Sequence, residues 1–311
     1  MNTRLLIFLG LVLVATGWFF VVSNDDDASP IQTVKRALQL DSSPLPDFTQ
    51  YADVNAKKQA FFAYLQPVVA VNNQHILDDR ARLAALANTS DEALSRADRR
   101  FLAGLVDRYE IDTSASSEDQ RAELMVRLDT VPMSLALTQA AMESAWGTSR
   151  FAREGNNLFG QWCYQPGCGI VPKRRGEGQV HEVASFDDVD AAVASYLRNI
   201  NSHRAYADLR AARADLRAAN QPVTGNAMAN HLLRYSERGL DYVEEIQSMI
   251  RVNKLAVLDG VRPASWPWIA TREFAPRWFW TVGWFRYPRP SSTAEPRSLY
   301  STWAKKAGGS R

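Results

Sequence analysis

The sequence predicts a mostly helical α+β domain with one small β-hairpin lobe, preceded by an N-terminal transmembrane helix. Three observations carry this. Apolar residues recur at helical spacing, with capping signals between them, from about 51 to 258. One Gly-, Pro- and Cys-rich stretch, 163–183, breaks that pattern and holds short β-like pieces. An apolar run, 5–22, precedes everything else. The 311 residues are 46% hydrophobic and 23% charged, which suits a globular protein with one or two cores. A net charge of +2 argues against nucleic acid as a partner.

The run 5–22 opens at Leu5 and closes at Val22, with only Gly and Thr interrupting it. About 18 residues at roughly 1.5 Å rise nearly match a bilayer's hydrocarbon thickness. Arg4 precedes it and Asp25, Asp26 and Asp27 follow, so the positive-inside bias leaves Met1 in the cytoplasm. A cleaved signal peptide is the alternative, with Val21 and Ser23 as the small-residue site. Trp18, Phe19 and Phe20 are bulky for such a site, which favours an uncleaved anchor. Either way the chain is exported. The expected divisions are 1–24 as cytoplasmic start and anchor, 25–50 as a linker, 51–258 as the main domain and 259–311 as a tail.

Within the main domain, Phe61, Phe62, Tyr64, Leu65, Val68, Val69, Val71, Ile76, Leu83 and Leu86 mark a helix over 51–86, and Pro67 should kink or split it. Thr89 and Glu92 form a candidate capping box for a helix reaching Tyr109. A further helix is expected over 118–128, and Pro132 falls near the first turn of the next. After the β-like pieces IVP and QVHEV, helices are expected at 187–201, 206–218, 224–235 and 241–258. No repeat of fixed period is present.

The stretch 135–162, LALTQAAMESAWGTSRFAREGNNLFGQW, is the most informative. Residues 135–146 read as one amphipathic helix with a single carboxylate, Glu143, one turn from Gln139 on the same face. Burial there would raise the pKa of Glu143 and favour the protonated form that a general acid needs. The competing reading has Glu143 solvated, or paired with Arg150 or Arg153. Gly147 can end the helix, and the Gly/Asn turn at 155–160 then suggests the wall of a cleft.

Cys163 and Cys168 are the chain's two cysteines, five residues apart with turn residues between them. In an exported segment a disulfide is the favoured reading; free thiols, or a metal site with His181 as a third ligand, are the alternatives. His75, His181, His203 and His231 are scattered, without H-E-x-x-H spacing, and G-x-S-x-G is absent. No cofactor and no metal are therefore expected.

The pattern A-x-x-E-S-x-W-G-T-S-x-x-A-R-x-x-N-N-L-F-G resembles the signature of the glucosaminidase-domain family of peptidoglycan hydrolases. Ser185 and Phe186, the run SYLRNINSHRAYADL at 195–209, and Tyr235, Gly239 and Tyr242 extend the similarity over about 53–258. The C-x4-C stretch after Phe-Gly is most similar to the Bax-like bacterial members. The resemblance implies a lysozyme-like α+β fold and an endo-β-N-acetylglucosaminidase acting on peptidoglycan glycan strands, held at the inner membrane with its catalytic domain in the periplasm.

Glycosidic hydrolysis commonly uses two carboxylates, about 5 Å apart for retention and about 6.5–9.5 Å for inversion. Glu143 is the acid in this reading. Glu182, in strand-like sequence, is preferred as the second group, with Glu177 as alternate and Asp187 and Asp188 further along. A substrate-assisted route through the sugar's acetamido group needs no second carboxylate. Tyr235 matches the family's catalytic-site tyrosine. Gln139, Trp146, Asn157, Phe159, Trp162 and Tyr206 are the candidate substrate-binding residues, with Phe159, Trp162 and Tyr206 as sugar-stacking faces. Two rivals stand beside this. A lytic transglycosylase or muramidase on the same substrate also carries a Glu-Ser pair, but the transglycosylase helix leads into a Gly-Leu-Met-Gln type turn rather than Asn-Leu-Phe-Gly. A wall-binding module without turnover is the other.

Residues 262–311 carry nine Lys/Arg against two Glu, a net of +7, together with six Trp. That composition fits an interfacial membrane contact; the alternative is a tail packed over the domain surface. Each basic group near an anionic surface contributes about 1 kcal/mol, screened beyond roughly 8–10 Å. Protein lacking residues 1–24 is therefore expected to bind anionic liposomes at low salt and to release as salt rises, with binding lost when 262–311 is deleted. Failure to bind even at low ionic strength would rule out the membrane contact.

Overall fold

The computed structural model describes residues 44–259 except 174, 176 and 177. The apolar run 5–22, Glu177 and the tail lie outside the described residues. No helix among those described is long and apolar enough to cross a membrane.

Helix α1, Val54–Ala85, is capped by Asp53, whose carboxylate accepts from the Ala56 N–H at 2.7 Å. The expected split at Pro67 does not occur, and the helix runs unbroken for 32 residues. Proline costs a helix interior about 3 kcal/mol. Here Phe61, Phe62 and Leu65 on one side of it and Val68, Val69 and Val71 on the other are all buried, and their packing outweighs that cost. Helix α2, Arg96–Arg108, starts well after the expected Thr89. Ser95 and Asp98 form its cap, the hydroxyl accepting from the Asp98 N–H at 3.1 Å and donating to its carboxylate at 2.6 Å. The buried Leu102 and Leu105 follow that box at helical spacing. Thr89 instead sits in a turn, with its carbonyl accepting from Arg121. Helix α3, Ser117–Arg127, begins at Ser116.

Helix α4, Met133–Glu143, is the centre of the domain; α1 packs against it from one side and later helices from the others. Residues 133–141 are all buried, so it is a fully enclosed helix rather than the amphipathic one expected. It also ends three residues early. Ala145, Trp146 and Gly147 all take left-handed backbone conformations (φ 50°, 60° and 74°). For Ala and Trp this costs on the order of 1 kcal/mol or more each. Ser144 holds the turn, donating to the Ala140 carbonyl at 2.6 Å and accepting from the Gly147 N–H at 2.8 Å. A β-carbon on Gly147 would lie 2.6 Å from the Phe48 ring, so glycine is required there on two counts.

After α5, Arg150–Gly155, comes a sheet of three strands rather than a hairpin: β1 (Trp162–Cys163), β2 (Gly169–Ile170) and β3 (Glu182–Ala184). β3 lies in the middle, antiparallel to both neighbours, with Trp162 opposite Val183 and Gly169 opposite Ala184. β1 has only two residues, too few to show an alternating pattern. Helices α6 (Val189–Ser202), α7 (Ala207–Ala218), α8 (Gly225–Ala229) and α9 (Leu240–Val252) complete the domain, followed by a 3-10 turn at Leu255–Leu258. The expected helix over 224–235 shrinks to the five-residue α8, and successive turns then carry the chain to Tyr235. α8, α9 and the final 3-10 turn pack on α4.

Arg213 ties the far side together. Fully buried, it donates to the carbonyls of Val126, Arg127, Asp129 and Thr130 and to Asn201 Oδ1, closing the C-terminal end of α3. Burial alone would raise the Asp129 carboxyl, but Arg213 and Arg217 hold it below the usual range. Removing one partner from such a buried charged group typically costs about 3–5 kcal/mol. Arg213→Ala should lose that much stability, read as a fall in the urea midpoint; a change within experimental error would mean that α3 is held by other contacts.

Candidate active site

Glu143 occupies the last turn of α4 and is half-buried. Its Oε1 accepts from the Tyr242 hydroxyl of α9 at 2.8 Å. Tyr242 in turn accepts from Gln139 Nε2 at 3.1 Å, and Gln139 Oε1 accepts from the Tyr196 hydroxyl of α6 at 2.6 Å. Among the described residues no hydrogen bond reaches Glu143 Oε2. A β-carbon placed on Gly160 (φ 64°) would lie 3.5 Å from Oε2, so the chain after Phe159 passes close to it. Burial raises the Glu143 carboxyl above the ordinary glutamate value; the Tyr242 hydrogen bond opposes this, while the Glu245 charge adds to the rise. Arg150 and Arg153 are not its partners: Arg150 reaches Glu154 at 3.7 Å and the Val171 carbonyl at 3.0 Å.

Tyr235 faces the same cluster. Its ring stacks on Tyr242 with centroids 5.5 Å apart, and its hydroxyl donates to the Phe159 carbonyl at 3.1 Å. Burial and the neighbouring Tyr242 push its pKa well up. Tyr206 lies 5.9 Å from Tyr235, its phenol pushed up to about 12 mainly by burial. Thus Gln139, Glu143, Tyr235, Phe159 and Tyr206 do gather in one place. Yet the rings of Phe159 and Tyr206 are buried, Phe159 lying flat on Tyr196 at 4.0 Å, so neither offers an open face to a sugar. Asn157 is also buried. Its amide donates to the Gln161 and Ala184 carbonyls and its oxygen accepts from Phe159 and Gln161, so it shapes the turn instead of meeting a ligand. Trp146 packs edge-on against Phe61 and Phe62 of α1.

Trp162 differs from these. It is 57% exposed and lies parallel to His181 at 4.2 Å, two residues beyond Gly160. Its ring is braced and open to solvent. Glu182 is placed elsewhere: its two oxygens accept from the Gly167 N–H at 3.1 Å and the Gly169 N–H at 2.9 Å, which hold its carboxyl below the usual range. Gly167 lies in the loop closed by the Cys163–Cys168 disulfide, whose Cα atoms are 6.2 Å apart, and Gly169 opens β2 just beyond it. Both sulfurs are committed to that bond, and His181 is turned to Trp162. Sequence reasoning missed Tyr242 as the partner of Glu143 and Tyr196 as the partner of Gln139 behind it. Tyr242 falls within the family-like run, but nothing local to either tyrosine points back across about 50 or 100 residues. A separate groove of about 550 Å³ lies between α2 and α3 over Leu102, Val106 and Leu124, and it shares no residue with the Glu143 cluster.

The glucosaminidase family model, described as mannosyl-glycoprotein endo-beta-N-acetylglucosaminidase, matches residues 119–255, from within α3 to beyond α9, and every member of this cluster. Protein bax of Escherichia coli (strain K12) is 35% identical over 214 residues, spanning 68% of this chain and 76% of that protein. The chain belongs to the glucosaminidase-domain, Bax-like family. No solved structure matches it. Membership makes it a glycosidase-type protein, with Glu143 the lone carboxylate of the enclosed helix inside the matched region.

The raised carboxyl has a thermodynamic consequence. A glutamate whose pKa is higher folded than unfolded binds its proton better when folded, so stability falls as pH rises from the unfolded value through the folded one. Glu143→Gln removes that loss. The urea midpoint of Glu143→Gln relative to the parent should therefore climb across this window and level off above it; a difference independent of pH would show that the carboxyl is not desolvated.

Proposed function

We propose that the domain is an endo-β-N-acetylglucosaminidase of peptidoglycan glycan strands, displayed outside the inner membrane, with Glu143 as general acid. The observation that carries this is the half-buried Glu143 carboxyl, raised by burial, with one oxygen tied to Tyr242 and the other unbonded among the described residues. Raising a carboxyl's pKa favours its protonated form, which can give its proton to the leaving glycosidic oxygen. Tyr235, fixed on the Phe159 carbonyl, lies beside it to orient the substrate's acetamido group or the attacking water.

Glu182 is engaged by two backbone amides, and Glu245, the carboxylate whose charge reaches Glu143, is paired with Arg238 at 2.6 Å. This favours the substrate-assisted route, in which the acetamido oxygen of N-acetylglucosamine attacks its own anomeric carbon. A lone acid also suits a lytic transglycosylase, whose product ends in an anhydro-muramic residue. A reducing N-acetylglucosamine end is the outcome expected here.

Purified sacculi digested with the full chain, with muropeptide ends read by mass spectrometry, test the reaction directly. Glu143→Gln should fold normally and lower turnover by about 10²–10⁴-fold; near-normal activity would reject the acid. Glu182→Gln should affect turnover little on the substrate-assisted route, whereas a comparably large loss would restore Glu182 as the second group. Trp162 is an open aromatic face two residues beyond Gly160, which passes beside Glu143. Trp162→Ala is expected to raise KM by about 5–30-fold, the equivalent of about 1–2 kcal/mol of stacking, with kcat little changed. An unchanged KM would remove Trp162 from the glycan path.

A further inference from the structure

A tyrosine hydroxyl has one proton to give, and this makes the order of the buried chain behind Glu143 informative. Tyr196 gives its proton to Gln139 Oε1 at 2.6 Å, which sets the way the amide faces. The amide nitrogen must then point at Tyr242, donating to its hydroxyl at 3.1 Å. With that side of the hydroxyl receiving, the proton of Tyr242 is left for Glu143 Oε1 at 2.8 Å. Three donors thus run in one direction from the interior to the carboxyl. Gln139 is fully buried and so is Tyr196, so water does not scramble the order.

We infer that Tyr196, Gln139 and Tyr242 act as positioning residues that keep Glu143 Oε1 as an acceptor and so confine the carboxyl proton to Oε2. The inference rests on the proposed role of Glu143 as the acid and adds which oxygen carries the proton and what decides it. Oε2 is the oxygen without a hydrogen bond among the described residues, beside the chain at Gly160. Were the Gln139 amide reversed, its oxygen would draw the Tyr242 proton away, and the carboxyl would hold its own proton on Oε1, turned inward. Tyr196 opposes this although it does not touch Glu143: in the reversed order its hydroxyl would accept from the amide, and its own buried proton would have no acceptor among the described residues.

The other groups facing Glu143 do not compete for this role. Tyr235 donates to the Phe159 carbonyl, Tyr206 is held near Tyr235, and both phenols are raised and neutral across the working range. Glu245 and Arg238, the charged groups that act on Glu143, pair with one another.

The test reads the Glu143 carboxyl itself. In the detergent-solubilised full chain labelled with carboxyl-13C glutamate, the Glu143 signal is assigned by its absence in Glu143→Gln and titrated. Tyr242→Phe, Tyr196→Phe and Gln139→Met should each raise its pKa, by about 1–2 units for Tyr242→Phe, the size of one hydrogen bond to a carboxylate. In the pH–rate profile the alkaline limb, where a general acid is lost, should move up by the same amount. Tyr196→Phe is the decisive variant, since a merely structural loss would lower kcat without moving the limb. Gln139→Met, similar in volume, asks the same question if Tyr196→Phe proves poorly folded. A Glu143 pKa that moves only in Tyr242→Phe, and in neither Tyr196→Phe nor Gln139→Met, would overturn the inference. Because the titration needs no substrate, a protein that failed to cut glycan would reject the proposed function and leave this result readable.

Discussion

The arrangement depends on a carboxylate at the end of a helix that is buried on every side. Helix α4 buries every residue from 133 to 141, and Glu143 follows two residues later, half-buried at its end. Ionising Glu143 in that place is opposed by desolvation, and what the protein supplies in return is one phenol, not a cation. An arginine at the same distance would pull the carboxyl down and leave a permanent anion. A hydroxyl fixes the geometry while leaving the proton affinity high. The choice of partner therefore decides which way the carboxyl's pKa moves.

The turn after α4 follows from the same requirement. The helix stops at Glu143, and three successive left-handed residues turn the chain away, with Ser144 satisfying the carbonyl and amide that this exposes. The strain at Ala145 and Trp146 persists because Trp146 is clamped between α1 rings and Lys58. Ending the helix there leaves Glu143 on its rim. Gly160 then brings the returning chain past Oε2 without a side chain in the way, and its neighbour's carbonyl receives Tyr235. One strained turn and one glycine thus leave one side of the carboxyl open.

Much of this was legible in the sequence, and the limits have physical causes. The helical α+β class, the lone acid, the turn behind it and the family could be read because each is local: a period, a carboxylate among apolar residues, a run of Gly and Asn. Element ends were read less well. Thr89–Glu92 has the letters of a capping box but no apolar period after it, whereas Ser95–Asp98 has both. Pro67 looked decisive and was not, since packing on both sides overrode it. Contact partners distant in sequence left no local trace. Tyr196 and Tyr242 look like any core aromatic until the fold sets them on either side of Gln139. Phe159, Tyr206 and Asn157 were read as ligand-facing because they are the right residue types, but being of the right type does not reveal exposure, and the fold buries all three.

The β-lobe shows how a small piece of structure can be built for rigidity beside such a site. β1 and β2 have two residues each, too short to hold by ladder bonds alone. The disulfide closes the loop between them, and Glu182 on the central strand receives one amide of that loop, Gly167, and the first amide of β2, Gly169. A carboxylate receiving two N–H groups is stabilised in its charged form, the opposite of what burial does to Glu143. The two acids are thus driven apart in character by their surroundings, Glu182 lowered and held by two amides, Glu143 raised, with one oxygen unbonded among the described residues. The lobe that Glu182 stiffens also carries Trp162, flat against His181 and open to solvent. For an aromatic face to bind a flexible glycan at low entropic cost it must already be held still. Holding β1 in place is what the disulfide and Glu182 together do, which gives Glu182 a reason to be an acid without assigning it a step in the chemistry.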